Sequence, residues 1–261
     1  MSFFSANEIC AGYPGKPILR NISFTAEKGC LTGILGANGS GKTTLLKALC
    51  GILPHCGACS LAGTVLEGLS ERQLARLCSY IPQRSGICLD ISALDVVLMG
   101  FNPRLGLLEH PNSSMKASAR QALKQVGLSG MEDESFQHLS EGQKQLCMLA
   151  RTFVTDSQLL LLDEPESALD FRMRYEMLSQ IRGWLQEGDR CGIVTLHDPS
   201  LALNFCDALL LLSGGELAGR ICPKTDPLDQ MEQLLENIYG PVSLLRCRKQ
   251  SGEEQLVMLK E

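Results

Sequence analysis

The stretch LTGILGANGSGKTTLLKAL, residues 31–49, narrows the possible folds more than any other part of the chain. A short apolar run ends at Gly36. The glycine-rich loop then gives way to a helical pattern with Leu45, Leu46 and Leu49 on one side. Gly36-Ala37-Asn38-Gly39-Ser40-Gly41-Lys42-Thr43 fulfils G-x-x-x-x-G-K-[ST] in the strand–loop–helix context that gives this motif meaning. Glycines let backbone N–H groups wrap around phosphate oxygens without Cβ clashes. The helix N-terminus adds donors and the positive end of its dipole. Lys42 is expected to reach the β- and γ-phosphates, and the Thr43 hydroxyl to ligate Mg²⁺.

A nucleotide–Mg²⁺ site needs a carboxylate from a neighbouring strand. LLLLDEP, residues 159–165, supplies one, since leucines running into acids read as a buried parallel strand with carboxylates at its C-terminal edge. Asp163 is expected to hold the metal through its water shell. Glu164, one residue further, is placed to poise an attacking water as general base. Gln83, in YIPQ, is a candidate contact for metal and water, although a lone glutamine is more often solvated surface. His197 ends GIVTLH, residues 192–197, and either donates to the γ-phosphate or merely closes the chain end. Tyr13, in AGYPGKP, either stacks on a nucleotide base or sits in a turn.

Strands alternating with helices predict an α/β core with a mainly parallel sheet. Residues 18–35 read as short strands around a Glu27-Lys28-Gly29 turn, and 57–81 as strand-like runs with a small helix at SERQLARLCSY. Residues 90–155 are mostly helical, interrupted by an exposed loop, FNPRLGLLEHPNSS. A helix fits 170–187, DALLLLSGGEL reads as strand and turn, and a helix over 227–238 and a hairpin follow. This gives a single domain over 1–261, with its nucleotide-binding core at 1–88 and 156–222. The helical subdomain is 89–155 and the C-terminal extension 223–261.

The totals act by exclusion. A net charge of −5 argues against a dedicated nucleic-acid binder. No apolar run approaches the roughly 18–20 residues of a membrane-spanning helix. MSFFSANEIC lacks the basic and apolar regions of a secretory signal, so a cytosolic chain that meets a membrane only through a partner is expected. Twelve cysteines are scattered, and Cys147, Cys191 and Cys206 lie in apolar contexts as small buried hydrophobes. The close pair Cys56 and Cys59, in HCGAC, is followed by no second pair or histidines at ligand spacing, and reads as a turn between strands.

LSEGQ, residues 139–143, precedes another apolar helical run. Ser140-Glu141-Gly142-Gln143 fits a capping box with Ser140 as N-cap and Gln143 at the third helical position. Glu141 then opens the helix, where a carboxylate favours the dipole by about 0.3–1 kcal/mol. Gly142 leaves room for close approach of a phosphate.

In their order along the chain these motifs resemble the ATP-binding subunit of an ABC transporter, and the resemblance covers nearly all residues. GANGSGKTT, including Thr44, is similar to the Walker A loop, and YIPQ to the Q-loop. LSEGQ is similar to the family signature, and LLLLDEP to the Walker B strand with its catalytic glutamate. SALD, residues 167–170, resembles the D-loop, and LHD the switch histidine His197. Tyr13 falls at the base-stacking aromatic. The resemblance implies a P-loop NTPase core with an N-terminal antiparallel β subdomain and an inserted helical subdomain. It also implies ATP and Mg²⁺ bound between two copies of the chain, with Ser140, Gly142 and Gln143 of one copy acting on the γ-phosphate held by the other. Where the family commonly has glycine and threonine, this chain has Glu141 and Glu166.

SERQLARLCSYIPQ, DVVLMGFNPRLG and NIYGPVSLL resemble the ATPases of importers for iron chelates, haem and vitamin B12. That implies two integral-membrane permease subunits, an extracytoplasmic binding protein acting indirectly, and a peripheral position on the inner face of the membrane. The competing class is a soluble ABC ATPase of DNA repair or translation. Repair members insert long coiled coils before the signature, but only 96 residues separate Lys42 from Leu139 here, without sustained heptads.

Overall fold

The N-terminal strands are longer than the residue pattern suggests, because a bulge hides their periodicity. In the computed structural model, which describes residues 2–106, 108–248, 250, 252 and 254–261, β1 (Phe4–Tyr13) pairs antiparallel with β2 (Lys16–Ala26). Phe4 and Ala6 face the core, Glu8 adopts a left-handed φ of 52°, and Ile9 and Ala11 then resume the inward face. The one-residue shift breaks the alternation by which a strand is read. Leu107 of the predicted loop, and Lys249, Ser251 and Glu253 around the predicted hairpin turn, lie outside the described residues.

β4 (His55–Leu61) and β5 (Thr64–Val65) complete a four-stranded antiparallel sheet in the order β2-β1-β4-β5. The HCGAC segment therefore lies within a strand and is not a turn. Gly57, at φ 93°, sits where a Cβ would meet the Asn7 and Glu8 carbonyls opposite the β1 bulge.

The second sheet holds β3 (Leu31–Leu35), β6 (Cys78–Ile81), β7 (Leu159–Asp163), β8 (Cys191–Thr195), β9 (Ala208–Ser213) and β10 (Glu216–Ile221). Its order is β10-β9-β3-β8-β7-β6, parallel except for β10. β7 shows why its sequence is apolar throughout. Leu159 and Leu161 enter the core shared with the antiparallel sheet and α1 (Lys42–Leu49), and Leu160 and Leu162 enter the core on the other face. Both faces of the strand are covered, so no polar alternation survives.

Six helices fall where the pattern places them: α2 (Glu71–Leu77), α3 (Ala93–Leu98), α4 (Ser113–Gln125), α5 (Glu141–Thr155), α6 (Phe171–Gln186) and α8 (Leu228–Tyr239), whereas the short α7 (Pro199–Phe205), capped by Asp198 with Pro199 in its first turn, lies where the sequence pattern assigns no element. α3, α4 and α5 pack together as the helical subdomain through Val97, Leu123, Phe136 and Leu149. The loop after α3 is tied down as well as exposed. Phe101 is buried, and Arg76 Nε and Arg104 Nη2 hold it through the Pro103 and Thr155 carbonyls at 2.7 Å each. β11 (Val242–Arg248) and β12 (Glu254–Lys260) form the terminal hairpin. Among the described residues, no helix is long and apolar enough to cross a membrane.

Candidate nucleotide-binding and hydrolysis site

The parallel strands end together, and their C-terminal ends carry the candidate residues, as open α/β sheets favour. β3 leads into the Gly36–Thr43 loop, β6 into Gln83, β7 into Asp163 and Glu164, and β8 into Thr195 and His197. The register pairs Asp163 directly with Thr195.

The loop is built around places where a side chain does not fit. A Cβ on Gly36 would lie 2.3 Å from the Leu212 carbonyl oxygen and 2.6 Å from Ser40 Oγ. Gly41 caps α1 in the left-handed region at φ 107°, against Ile18 and Leu19 of β2. Lys42 is only 6% exposed, and its ammonium donates to the Gly36 and Ala37 carbonyls at 2.9 and 3.3 Å. Ser40 Oγ is buried without a hydrogen-bond partner. A buried cation and an orphaned hydroxyl beside a helix N-terminus fit an anionic phosphate. Asn38, Gly39 and Thr43 stand exposed on the loop, and Thr44 is buried behind it. Tyr13 lies at the tip of the β1–β2 hairpin, 45% exposed, where it lines a groove of about 570 Å³ with Lys16 and Pro17.

Asp163 is held from three sides. Its Oδ1 accepts from the Thr43 and Thr195 hydroxyls at 3.1 and 2.9 Å, and its Oδ2 from the Tyr80 hydroxyl at 3.2 Å. Burial, reinforced by Asp163, pushes the Tyr80 phenol above its ordinary value, so it remains a protonated donor. The carboxylate is thereby fixed beside the Thr43 hydroxyl, the oxygen pairing that a hard divalent cation takes.

Glu164 follows in the left-handed region at φ 49°, a conformation that costs a non-glycine residue about 1–3 kcal/mol. Its N–H donates to Thr195 Oγ1 at 2.9 Å, which holds the turn. The twist separates two consecutive carboxylates and sends Glu164 to other partners. Its Oε2 accepts from Gln83 Nε2 and faces His197 Nε2, both at 2.7 Å. Gln83, His197 and Glu164 thus converge, as their strand-end positions suggest, and Gln83 is here bound to the glutamate.

Glu166 has a place that the sequence does not reveal. It is 2% exposed, and its Oε1 accepts from the His197 backbone N–H at 3.0 Å. Its Oε2 is buried without a partner. Burial pushes its carboxyl above the usual range and favours the protonated form. The segment carrying Glu164 is in this way fastened to the backbone of His197.

Ser140–Gln143 is separate. Ser140 caps α5, its Oγ accepting from Gln143 N–H at 3.2 Å while its own N–H donates to Gln143 Oε1 at 2.8 Å, the reciprocal capping box. Glu141 is turned aside to Lys144 Nζ at 2.8 Å. A Cβ on Gly142 would come within 3.1 Å of Leu169 and 3.2 Å of the Ala168 carbonyl, so glycine here also serves packing within the chain. Among the described residues no hydrogen bond links Ser140–Gln143 to the Gly36–Thr44 loop. One turn on, Gln145 Nε2 donates to the Gln83 carbonyl at 2.5 Å, tying the start of α5 to the Gln83 segment.

Residues 19–167, more than half of the chain, match the profile of the family described as ABC transporter. The chain belongs to the ABC transporter family. It is an ATP-binding, ATP-hydrolysing subunit of that family. It is 37% identical over 237 residues to a hemin import ATP-binding protein of Bordetella pertussis, covering 87% of each chain. A hemin import ATP-binding protein of Rhizobium leguminosarum is 37% identical over 242 residues, 90% of this chain and 88% of the relative. Among solved structures, a chain described as a metal-chelate type ABC transporter in an inward-facing conformation matches with TM-score 0.83 and 25% identity, over 100% of this chain and 99% of that one. A dimeric ATP-binding cassette bound to ADP and Pi shares the fold at TM-score 0.76 and 21% identity, over 84% of this chain and 98% of that one.

The residues that resemble the family's Walker A loop, Q-loop, Walker B acids and switch histidine are thus brought together within one chain, and the segment that resembles its signature is set apart. Tyr80, Thr195 and Gln145 were not singled out from the sequence. Tyr80 had a usable signal in YIPQ, lying on the strand that presents Gln83. Thr195 and Gln145 had none, because the register of β8 against β7 and the packing of α5 make their contacts.

Proposed function

We propose that this chain powers an ABC importer of the haem, iron-chelate or cobalamin type, as two copies that close around two ATP molecules. The identity to import ATP-binding proteins over most of both lengths carries the cargo class. The dimeric relative of the same fold supports the pairing. Two integral-membrane permease subunits complete the assembly on the inner face of the membrane, and an extracytoplasmic binding protein delivers the cargo to them.

Within each site, the Walker A amides and Lys42 hold the β- and γ-phosphates, with Gly36, Asn38, Gly39, Ser40, Gly41 and Thr44 shaping the cradle, and Tyr13 covers the base. Thr43, Asp163 and Gln83 would hold Mg²⁺, which would supply positive charge to offset that of the phosphates. Glu164 accepts the proton of the attacking water. His197, pointed at Glu164 by the Glu166–backbone bond, orients that carboxylate and reaches toward the γ-phosphate. The partner copy contributes its Ser140 hydroxyl and the bare N-terminus of its α5 across the dimer. Hydrolysis removes the bridging γ-phosphate and lets the copies part. Gln145, by holding the Gln83 carbonyl, makes the helical subdomain follow changes at Gln83.

The test is an affinity pull-down of the chain from detergent-solubilised membranes, with mass spectrometry of its companions. A multi-span membrane protein at equal stoichiometry, in complex with a binding protein for haem, an iron chelate or cobalamin, is expected. Recovery of soluble partners only would overturn the importer reading in favour of a soluble ABC ATPase.

A further inference from the structure

Outside the nucleotide site, one cluster mixes three kinds of metal-ligating side chain. His55, Cys59 and Glu67 bring an imidazole nitrogen, a thiol sulfur and a carboxylate oxygen within 4.8 Å of one another. The fold causes this. His55 and Cys59 are four residues apart on β4, so both point to the same face, and Cys56 points to the other. The short β4–β5 connection pairs Leu61 with Thr64 and Ser60 with Val65 and, through Leu66 N–H donating to the Cys59 carbonyl at 2.9 Å, returns Glu67 beside Cys59. His55 Nε2 lies 3.2 Å from Glu67 Oε1, and the Cys59 N–H donates to the same oxygen at 2.6 Å.

An imidazole–carboxylate pair with a capped N–H accounts for Glu67 Oε1. The Cys59 thiol converges on the same carboxylate, and burial, reinforced by Glu67, pushes it up to about 12, so a cation bound there displaces the thiol proton. The cluster also opens on a cavity of about 270 Å³ walled by Leu53, Leu66 and Leu74. The Cys59 side chain is buried, and the His55 side chain is 12% exposed. Two borderline-to-soft donors and one carboxylate, with room for a further ligand, are the donor set of a zinc site with one open position.

We propose that His55, Cys59 and Glu67 form a binding site for a zinc ion, separate from the nucleotide site. The imidazole coordinates through Nε2, the thiol binds as thiolate after releasing its proton to solvent, and a water takes the fourth position. The HCGAC pair suggests a cysteine pair, but the strand divides that pair between faces, and His55 and Glu67 replace Cys56 as companions of Cys59.

Competition between the purified, nucleotide-free full chain and a chromophoric zinc chelator tests this, together with X-ray absorption at the zinc edge. One zinc per chain is expected, with one sulfur ligand at about 2.3 Å and the rest nitrogen or oxygen. His55→Ala and Cys59→Ser should each weaken zinc binding at least about tenfold while keeping the wild-type melting profile without zinc. Cys56→Ser and His197→Ala should bind zinc as the wild type does. Wild-type chain that does not compete for zinc, a bound zinc without sulfur, unchanged affinity in both His55→Ala and Cys59→Ser, or loss that follows His197→Ala would each overturn the proposal. Should Cys59→Ser fail to fold, His55→Gln and the absorption spectrum of the wild type decide.

Discussion

The hydrolysis centre and the signature segment are built on opposite plans. Around Asp163 and Glu164, Thr43, Tyr80, Thr195, Gln83 and His197 all bind the two carboxylates from within one chain. At Ser140–Gln143 the capping box closes on itself, and among the described residues it makes no hydrogen bond to the phosphate loop of its own chain. The first is a closed network of side chains around two carboxylates. The second is a helix N-terminus with its acidic side chain held away. The difference supports the proposed division of labour, in which one chain binds ATP and two chains hydrolyse it.

The strongest way to break this comparison is to damage each side separately. Glu164→Gln should bind ATP with near wild-type affinity and lose turnover by about 10²–10⁴-fold, the range of a general base, while accumulating a closed dimer. Normal hydrolysis by Glu164→Gln would move the base elsewhere. Gly142→Asp should abolish turnover as well, with ATP binding to the single chain retained and no closed dimer formed. Sizing chromatography with ATP distinguishes the two variants, although a turnover assay does not.

Smaller effects sharpen the first region. Tyr80→Phe removes one donor to Asp163 and should weaken Mg²⁺-dependent ATP binding by about 1 kcal/mol, seen by titration calorimetry with and without the metal. Glu166→Gln keeps an acceptor for the His197 N–H and removes a buried acid whose folded-state carboxyl is raised. A raised carboxyl binds its proton more tightly in the folded chain. Its contribution is therefore full at pH below the unfolded value and is lost as pH rises through the folded one. The stability of wild type relative to Glu166→Gln should accordingly fall as pH climbs above the ordinary carboxylate range, in urea titrations at a series of pH values. A pH-independent difference would mean that Glu166 is not shifted.

The smallest effect belongs to Glu141. Its side chain pairs with Lys144, away from the open helix end, so Glu141→Gly should leave turnover the same or faster. Helix stability should fall by about 0.3–1 kcal/mol through the lost dipole interaction. Slower turnover at unchanged ATP affinity would give the carboxylate a role in the reaction.

The parts legible in the sequence are those made by local spacing. The phosphate loop, the Asp163–Glu164 pair and the Ser140–Gln143 cap each depend on neighbours within a few residues. The leucines of β7 are likewise readable, because burial of both faces leaves no alternation. Tyr80, Thr195 and Gln145 became visible only when β6 and β8 were set in register beside β7 and α5 was packed on the Gln83 segment. Glu166 was noticed as a departure, but its bond to His197 spans 31 residues and has no local trace. β1 escaped for a different reason, since Glu8 shifts the inward face from even to odd positions. HCGAC was misread because a glycine between cysteines resembles a turn, whereas Gly57 serves the bulge opposite it.

Mixing two inactive proteins tests the division of labour most directly. Lys42→Ala chains keep a sound signature, and Gly142→Asp chains keep a sound phosphate loop. Each alone should be inactive. Random pairing of equal amounts makes half of the dimers mixed, each with one intact composite site, so turnover should return to about a quarter of the wild-type rate. A mixture as inactive as its components would contradict the account, and so would Gly142→Asp chains that hydrolyse ATP alone.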